Sequence, residues 1–228
     1  LARRFRRRPS GVQSHAAWYL ALHAMSRGKA DEAHGWLCAR GHDNRLKLFP
    51  LFPFEIEDDP QLVRIAVAAG DEELAEHAIE QAEHRCQLNP GVVSFKAAVA
   101  HARGLWRSST RHLETAASLF VAGPRPLATA SALEDLGRVQ AAEGATDDAI
   151  ASLDRALAID AHVGASWDAA RVRRRLRQLG VRRRIVLSER PATGWDALTS
   201  AEAAVAELAS GGRTNREIAE TLFISPHT

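Results

Sequence analysis

The sequence has too few cysteines to be a disulfide scaffold. It contains two, Cys38 and Cys86, and their spacing matches neither a redox motif nor a metal-binding motif. We therefore predict that both thiols are reduced and packed as small hydrophobic residues.

Long apolar runs are also absent. The arginines near the N-terminus, Arg3, Arg4, Arg6, Arg7 and Arg8, are not followed by a continuous apolar stretch, and no segment approaches the length that spans a bilayer. We expect neither a signal peptide nor a membrane-spanning helix, so the cytosol is the default location. The first residue is not Met, which suggests that the natural N-terminus lies upstream.

No catalytic motif is recognisable. The sequence has no Gly-x-x-x-x-Gly-Lys phosphate loop, no nucleophile elbow and no paired carboxylates in an apolar setting. Gly28 and Lys29 lack the upstream glycine of a phosphate loop and are predicted to form a hairpin turn. His77, Glu80 and His84 fall on one helical face, but no second segment offers ligands at zinc-like spacing, so we prefer a solvated polar face. We predict a protein that is not an enzyme and holds no cofactor or metal.

What the sequence does have is apolar content sufficient for a core and a repeated glycine pattern. Of its 228 residues 46% are hydrophobic, and the formal net charge is only +2. Gly28, Gly70 and Gly144 share three kinds of neighbour: a leucine eight residues earlier (Leu20, Leu62, Leu136), an alanine five later (Ala33, Ala75, Ala149) and an aliphatic residue nine later (Leu37, Ile79, Leu153). This pattern predicts helical hairpins in which glycine forms the turn, alanine lets the helices approach and the aliphatic residues close the core.

A fourth, degenerate hairpin is predicted around Gly104. Leu113 and Ala116 occupy the expected positions after it, and Ser109 stands where alanine is expected. Residues 130–160 resemble a tetratricopeptide repeat nearly throughout. We therefore predict an all-α, tetratricopeptide-like superhelix of helical hairpins over residues 1–184, followed by a linker over 185–196.

Residues 48–60 interrupt the helical pattern between the first two hairpins. Pro50, Pro53 and Pro60 argue against continuous helix, so a loop is predicted there. The aromatic side chains of this loop, Phe49, Phe52 and Phe54, suit either a docking patch for a partner or an apolar cover over the repeat domain. We favour the cover, because large aromatic residues in loops are usually buried against their own domain.

Residues 197–228 contain three successive helix-start signals. Thr199 with Glu202, and Thr214 with Glu217, have the Thr-x-x-Glu spacing of a capping box, and Ser225 with Pro226 is a third start. Gly211 and Gly212 supply the turn after the first helix, with Gly211 expected in its last turn. Three starts at this spacing predict a trihelical DNA-binding unit.

This C-terminal segment resembles the LuxR-type helix-turn-helix. The matching residues are Leu198, Thr199, Glu202, Val205, Gly212, Asn215, Glu217, Ile218, Ala219, Leu222, Ile224, Ser225 and Thr228. The resemblance implies phosphate contacts from Thr214, Asn215, Ser225 and Thr228. It also implies that the recognition helix, which reads base edges in the major groove, lies beyond Thr228, so this unit is incomplete.

A basic stretch precedes this unit and has no acidic residue within it. Its arginines are Arg171, Arg173, Arg174, Arg175, Arg177, Arg182, Arg183 and Arg184. Such a stretch suits either phosphate contact, which raises affinity without reading sequence, or a solvated helix end stabilised by the helix dipole. The sequence alone leaves both interpretations open.

Taken together, the chain resembles the C-terminal part of the large actinobacterial LuxR-type regulators. The resemblance implies a helical-repeat region that binds a protein or small-molecule effector and controls DNA binding, with specific binding only in the full-length protein. The alternative is a repeat-protein scaffold that binds a protein or small ligand and never touches DNA.

Overall fold

The computed structural model describes residues 11–38, 56–183, 198 and 200–222, and these residues are helical with short turns. The helices are α1 (Gly11–Ser26), α2 (Ala30–Cys38), α3 (Asp58–Ala69), α4 (Glu72–Leu88), α5 (Val93–Arg107), α6 (Thr110–Val121), α7 (Pro126–Ala142), α8 (Thr146–His162), α9 (Ser166–Gln178), α10 (Ser200–Ser210) and α11 (Asn215–Leu222). No strand occurs in these ranges, and the predicted all-α class is confirmed.

The chain separates into two compact units, Leu1–Arg183 and Arg184–Thr228. In the first unit, α1 to α8 form four helical hairpins, α1–α2, α3–α4, α5–α6 and α7–α8, and α9 packs against α8. Each helix contacts mainly its neighbours in sequence, as in a helical-repeat superhelix. None of the helices described here is long and apolar enough to cross a membrane.

The predicted glycine turns are confirmed at three hairpins. Gly28, Gly70 and Gly144 have φ values of 74°, 72° and 83°, in the left-handed region that glycine adopts without steric cost. In the third of these turns the Ala145 N–H donates to the Gln140 carbonyl at 2.9 Å, which satisfies a carbonyl at the end of α7.

The small and aliphatic positions of the repeat are nearly all buried. Ala33, Ala75 and Ala149 are fully buried, and Leu37, Ile79 and Leu153 on the second helices of these hairpins are buried too. Leu20 is the exception, because α1 turns Trp18, Ala21 and Ala24 inward and leaves Leu20 exposed. The prediction that Leu20 closes the first hairpin's core is therefore wrong.

The fourth predicted hairpin is present as α5–α6, with Leu113 and Ala116 buried, but Gly104 does not form its turn. Gly104 lies inside α5, and the left-handed turn residue is Ser108, with φ of 47°. A Cβ on Gly104 would lie 2.7 Å from Leu113 Cγ on α6. Glycine is needed here because the two helices approach closely, whereas the turn itself is formed by serine.

The loop between the first two hairpins ends earlier than predicted. Helix α3 begins at Asp58, and Pro60 occupies its first turn, where the missing N–H removes no helical hydrogen bond. The Trp18 indole N–H donates to Asp58 Oδ1 at 3.1 Å and joins α1 to the start of α3. Phe49, Phe52 and Phe54 lie outside the described residues.

Candidate functional site

Helix α9 divides the predicted basic stretch between two faces. Ala169, Val172 and Leu176 are spaced at helical intervals and are buried, which fixes the orientation of the helix. The arginines between them therefore point in different directions. Some contact carboxylates on earlier helices, and others face solvent.

Two of these arginines bind one buried carboxylate on α7. Arg171 donates from Nε to Glu134 Oε1 at 2.8 Å and from Nη2 to Oε2 at 2.6 Å, and Arg175 Nε donates to Oε1 at 2.7 Å. Burial lowers the pKa of Arg171, but hydrogen bonding and attraction to Glu134 outweigh it and raise the pKa above its usual value. We call these three residues the Glu134 clasp, and it joins the last described helix of this unit to the preceding hairpin.

Arg183 also pairs with a carboxylate of the same unit, at an exposed position. It donates from Nε and Nη2 to the two carboxylate oxygens of Asp154 at 2.9 and 2.8 Å, and this hydrogen bonding raises its pKa. The remaining arginines of the described stretch divide again: Arg173 donates to the Ala169 carbonyl, while Arg174, Arg177 and Arg182 are exposed.

Within the part of the chain that the structure describes, Arg174, Arg177 and Arg182 form no ion pair. Arg184 lies outside the described residues. Among the described arginines of the stretch, these three therefore present guanidinium groups without a carboxylate partner.

In the second unit, a glycine turn separates α10 from α11. Gly212 has φ of 78°, and the Arg213 N–H donates to the Leu208 carbonyl at 3.2 Å, so the turn ends α10 as expected. Gly211 follows α10, which ends at Ser210, so its predicted place in the last helical turn is wrong. The Gly211 N–H still donates to the Glu207 carbonyl at 3.1 Å, so Gly211 follows the last helical residue directly, and the left-handed conformation at Gly212 ends the helix.

Thr214 and Glu217 form the predicted capping box at the start of α11. The Thr214 N–H and hydroxyl both donate to Glu217 Oε2, at 2.8 and 2.9 Å, and the Glu217 N–H points back at Thr214 Oγ1 at 3.4 Å. These hydrogen bonds lower the pKa of Glu217. Thr214 and Asn215 are exposed, whereas Ser225 and Thr228 lie outside the described residues.

In the second unit, few of the described apolar side chains are buried. Ile218 and Ala219 on α11 are buried, and Val205 and Leu208 on α10 are half-buried. The described part of the unit thus has a small core, because two short helices bury little apolar surface.

A buried ionic cluster in the first unit was missed by sequence analysis. Asp135 on α7 accepts from Arg64 on α3, and its Oδ2 lies 2.8 Å from His101 Nε2 on α5. Arg64 also donates to Ser131 at 3.2 Å. We call these four residues the Asp135 cluster.

Charge and burial act in opposite directions in the Asp135 cluster. Burial raises the pKa of Asp135, but Arg64 and the hydrogen bond from His101 hold it far below its usual range. Burial lowers the pKa of His101 despite the neighbouring carboxylate. The buried Asp135 carboxylate is thus paired with side chains of other helices, and the cluster connects helices from three hairpins. Breaking a pair of this kind typically costs about 3–5 kcal/mol.

A second buried carboxyl group lies beside the Glu134 clasp. Burial, with contributions from Asp168 and Glu134, raises the pKa of Asp160 to about 7, although Arg171 opposes the shift. The protonation of Asp160 therefore changes near neutral pH.

The residues that could hold a metal ion are not the histidines on α4 that sequence analysis considered. Among the described residues, the side chains that come close enough to share one metal ion are His34, Cys38 and Asp71. His77 and His84, on α4, are not part of that group. No sequence spacing indicates this arrangement, because Asp71 comes from a different hairpin.

Comparison of the chain with protein-family models, with curated proteins and with solved structures gave no match.

Proposed function

We propose that the chain belongs to a LuxR-type transcriptional regulator, in which a helical-repeat region that binds a protein or small-molecule effector controls a DNA-binding helix-turn-helix. The observation that carries the proposal is the α10–turn–α11 segment. Its left-handed Gly212 and its Thr214–Glu217 capping box occur within the run of residues that matches the LuxR-type pattern. The proposed protein is a binding protein rather than an enzyme, and it acts on DNA in the cytoplasm.

The proposed phosphate contacts come from two places. Arg174, Arg177 and Arg182 present guanidinium groups to solvent in the first unit, and Thr214 and Asn215 lie at the exposed start of α11. Contacts to phosphates position a protein on DNA but carry no base information. By the resemblance, the base-reading side chains lie beyond Thr228, so we propose that the contacts of this chain are independent of DNA sequence.

A repeat-protein scaffold is the second candidate function. Two observations favour it: Arg171, Arg175 and Arg183 are engaged by carboxylates of the same unit, and Trp167 on α9 is 84% exposed. A large exposed aromatic residue is typical of protein interaction surfaces, where tryptophan is a frequent anchor. In this alternative the chain binds a protein or small ligand and makes no contact with DNA.

Fluorescence anisotropy with two unrelated duplexes over a range of salt concentrations separates the two candidates. The test variant is the double substitution Arg174→Glu with Arg177→Glu. Its control is Arg111→Glu with Arg155→Glu, which makes the same charge change at exposed positions on α6 and α8.

If the regulator proposal is right, the test variant weakens binding to both duplexes alike. The slope of log affinity against log salt also falls in magnitude by roughly 2, one for each lost phosphate contact. The control variant changes affinity little. Equal losses of affinity in the test and control variants would mean that overall charge, and not a contact by Arg174 and Arg177, determines binding. If the parent chain binds neither duplex at low salt, the scaffold function is favoured.

A further inference from the structure

Three side chains with metal-binding atoms meet where the first two hairpins touch. His34 and Cys38 lie four residues apart on α2, a spacing that places two side chains on one face of a helix. Asp71 caps the N-terminus of α4. His34 Nε2 lies 2.8 Å from Asp71 Oδ2 and 3.3 Å from Cys38 Sγ.

The carboxylate therefore faces Nε2, and the sulfur lies beside the same ring, 3.3 Å from Nε2 and 3.6 Å from Nδ1. A hydrogen bond between His34 and Asp71 does not by itself require the Cys38 sulfur beside the imidazole ring. The three ligand atoms all lie within 4.8 Å of one another, a separation that one small cation between them can bridge. Zinc–ligand distances are about 2.0–2.3 Å for nitrogen, oxygen and sulfur, so small side-chain rotations suffice.

The carboxylate is held in position by the backbone. Asp71 Oδ1 accepts the Leu74 N–H at 2.9 Å, which leaves Oδ2 directed at His34. That backbone hydrogen bond, together with His34, lowers the pKa of Asp71 despite partial burial. An outer hydrogen bond of this kind orients a ligand before the metal arrives.

Solvent reaches the group, so an ion can enter. The side chains of His34 and Asp71 are 27% and 30% exposed, and Cys38 is half-buried. Thiolate and imidazole together favour zinc and similar transition metals over magnesium or calcium, which prefer oxygen ligands.

We propose that His34, Cys38 and Asp71 form a three-ligand Zn²⁺ site that joins α2 to the N-terminus of α4. Zinc binds His34 Nε2, Asp71 Oδ2 and Cys38 Sγ, the thiol releases its proton to solvent, and water fills the fourth position. Because the ligands come from two hairpins, the bound ion stabilises their packing and raises the thermal stability of the folded chain.

The test is titration of the full chain, first stripped with a chelator, with Zn²⁺ by calorimetry and with Co²⁺ by absorption spectroscopy. We expect one tight site, a thiolate-to-cobalt charge-transfer band, and a higher melting temperature with zinc. Cys38→Ser should abolish the band and weaken zinc binding at least tenfold, and Asp71→Asn, which preserves the helix cap, should weaken it similarly.

The matched controls are Cys86→Ser, which removes the other cysteine, and His77→Gln, which removes a histidine on α4. Both should bind zinc like the parent. Circular dichroism establishes that each variant is folded. The proposal is overturned if the parent binds no zinc, if the charge-transfer band survives in Cys38→Ser, or if the band disappears in Cys86→Ser instead.

Discussion

Replacing Gly137 by alanine should destabilise the first unit, although alanine is the better helix former. Gly137 lies inside α7, and a Cβ there would stand 2.7 Å from Leu153 Cγ and 3.0 Å from the Ala149 carbonyl oxygen, both on α8. Because this carbonyl belongs to the backbone, it can move away from the added Cβ only if α8 itself moves. Overpacking a core typically costs about 1–3 kcal/mol, whereas the gain in helix propensity is about 1 kcal/mol.

We therefore expect Gly137→Ala to lose up to about 2 kcal/mol of unfolding free energy, which lowers the melting temperature by up to roughly 8 °C. The control is Gly35→Ala. Gly35 also lies inside a helix, α2, but a Cβ there meets nothing within 4 Å, so only the propensity gain remains. Thermal unfolding is followed by circular dichroism with chelator present. If Gly137→Ala melts at or above the parent temperature, the close approach of α7 and α8 is not real.

Two further predictions concern pH and backbone conformation. The pKa of Asp160 is about 7 in the folded state, against an ordinary value of 3.8. The folded state therefore binds this proton more tightly than the unfolded state, and the stability of the fold falls as the pH rises from about 4 to about 7. Asp160→Asn should therefore be more stable than the parent by about 1–3 kcal/mol at pH 8 and lose that advantage by pH 4, as measured by urea unfolding. An advantage of equal size at both pH values would contradict the assigned pKa. Gly144→Val should lower the free energy of unfolding by about 2 kcal/mol, because valine is strained at φ of 83°. The control is Gly91→Val, at a position with neither a left-handed φ nor a near neighbour, which should lower it much less. Equal melting temperatures of the two variants would contradict the left-handed turn at Gly144.

The helical hairpins were predictable because their determinants are local. A glycine turn with alanine five residues later is a short-range pattern, and the capping box from Thr214 to Glu217 spans only four residues. Gly104 shows the limit of this reasoning. A glycine can serve a turn or a close helix contact, and only the position of Leu113 on the next helix decides between them.

The electrostatic sites were not predictable, because their partners are distant in sequence. The basic stretch on α9 contains no acid, yet Glu134 lies far upstream on α7 and binds two of its arginines. Asp71 and His34 are 37 residues apart in sequence, and the whole of α3 lies between them. A periodic pattern states which face of a helix is polar, but not which charge from another helix will meet it.

The Asp135 cluster also bears on how this array can change during evolution. Repeat arrays commonly gain or lose whole units, because each unit contacts only its neighbours and every junction is alike. Here a carboxylate on α7 pairs with an arginine on α3 and a histidine on α5. Duplicating or deleting a hairpin between them would strand a buried charge, so the middle of this array behaves as one indivisible block with a fixed number of hairpins.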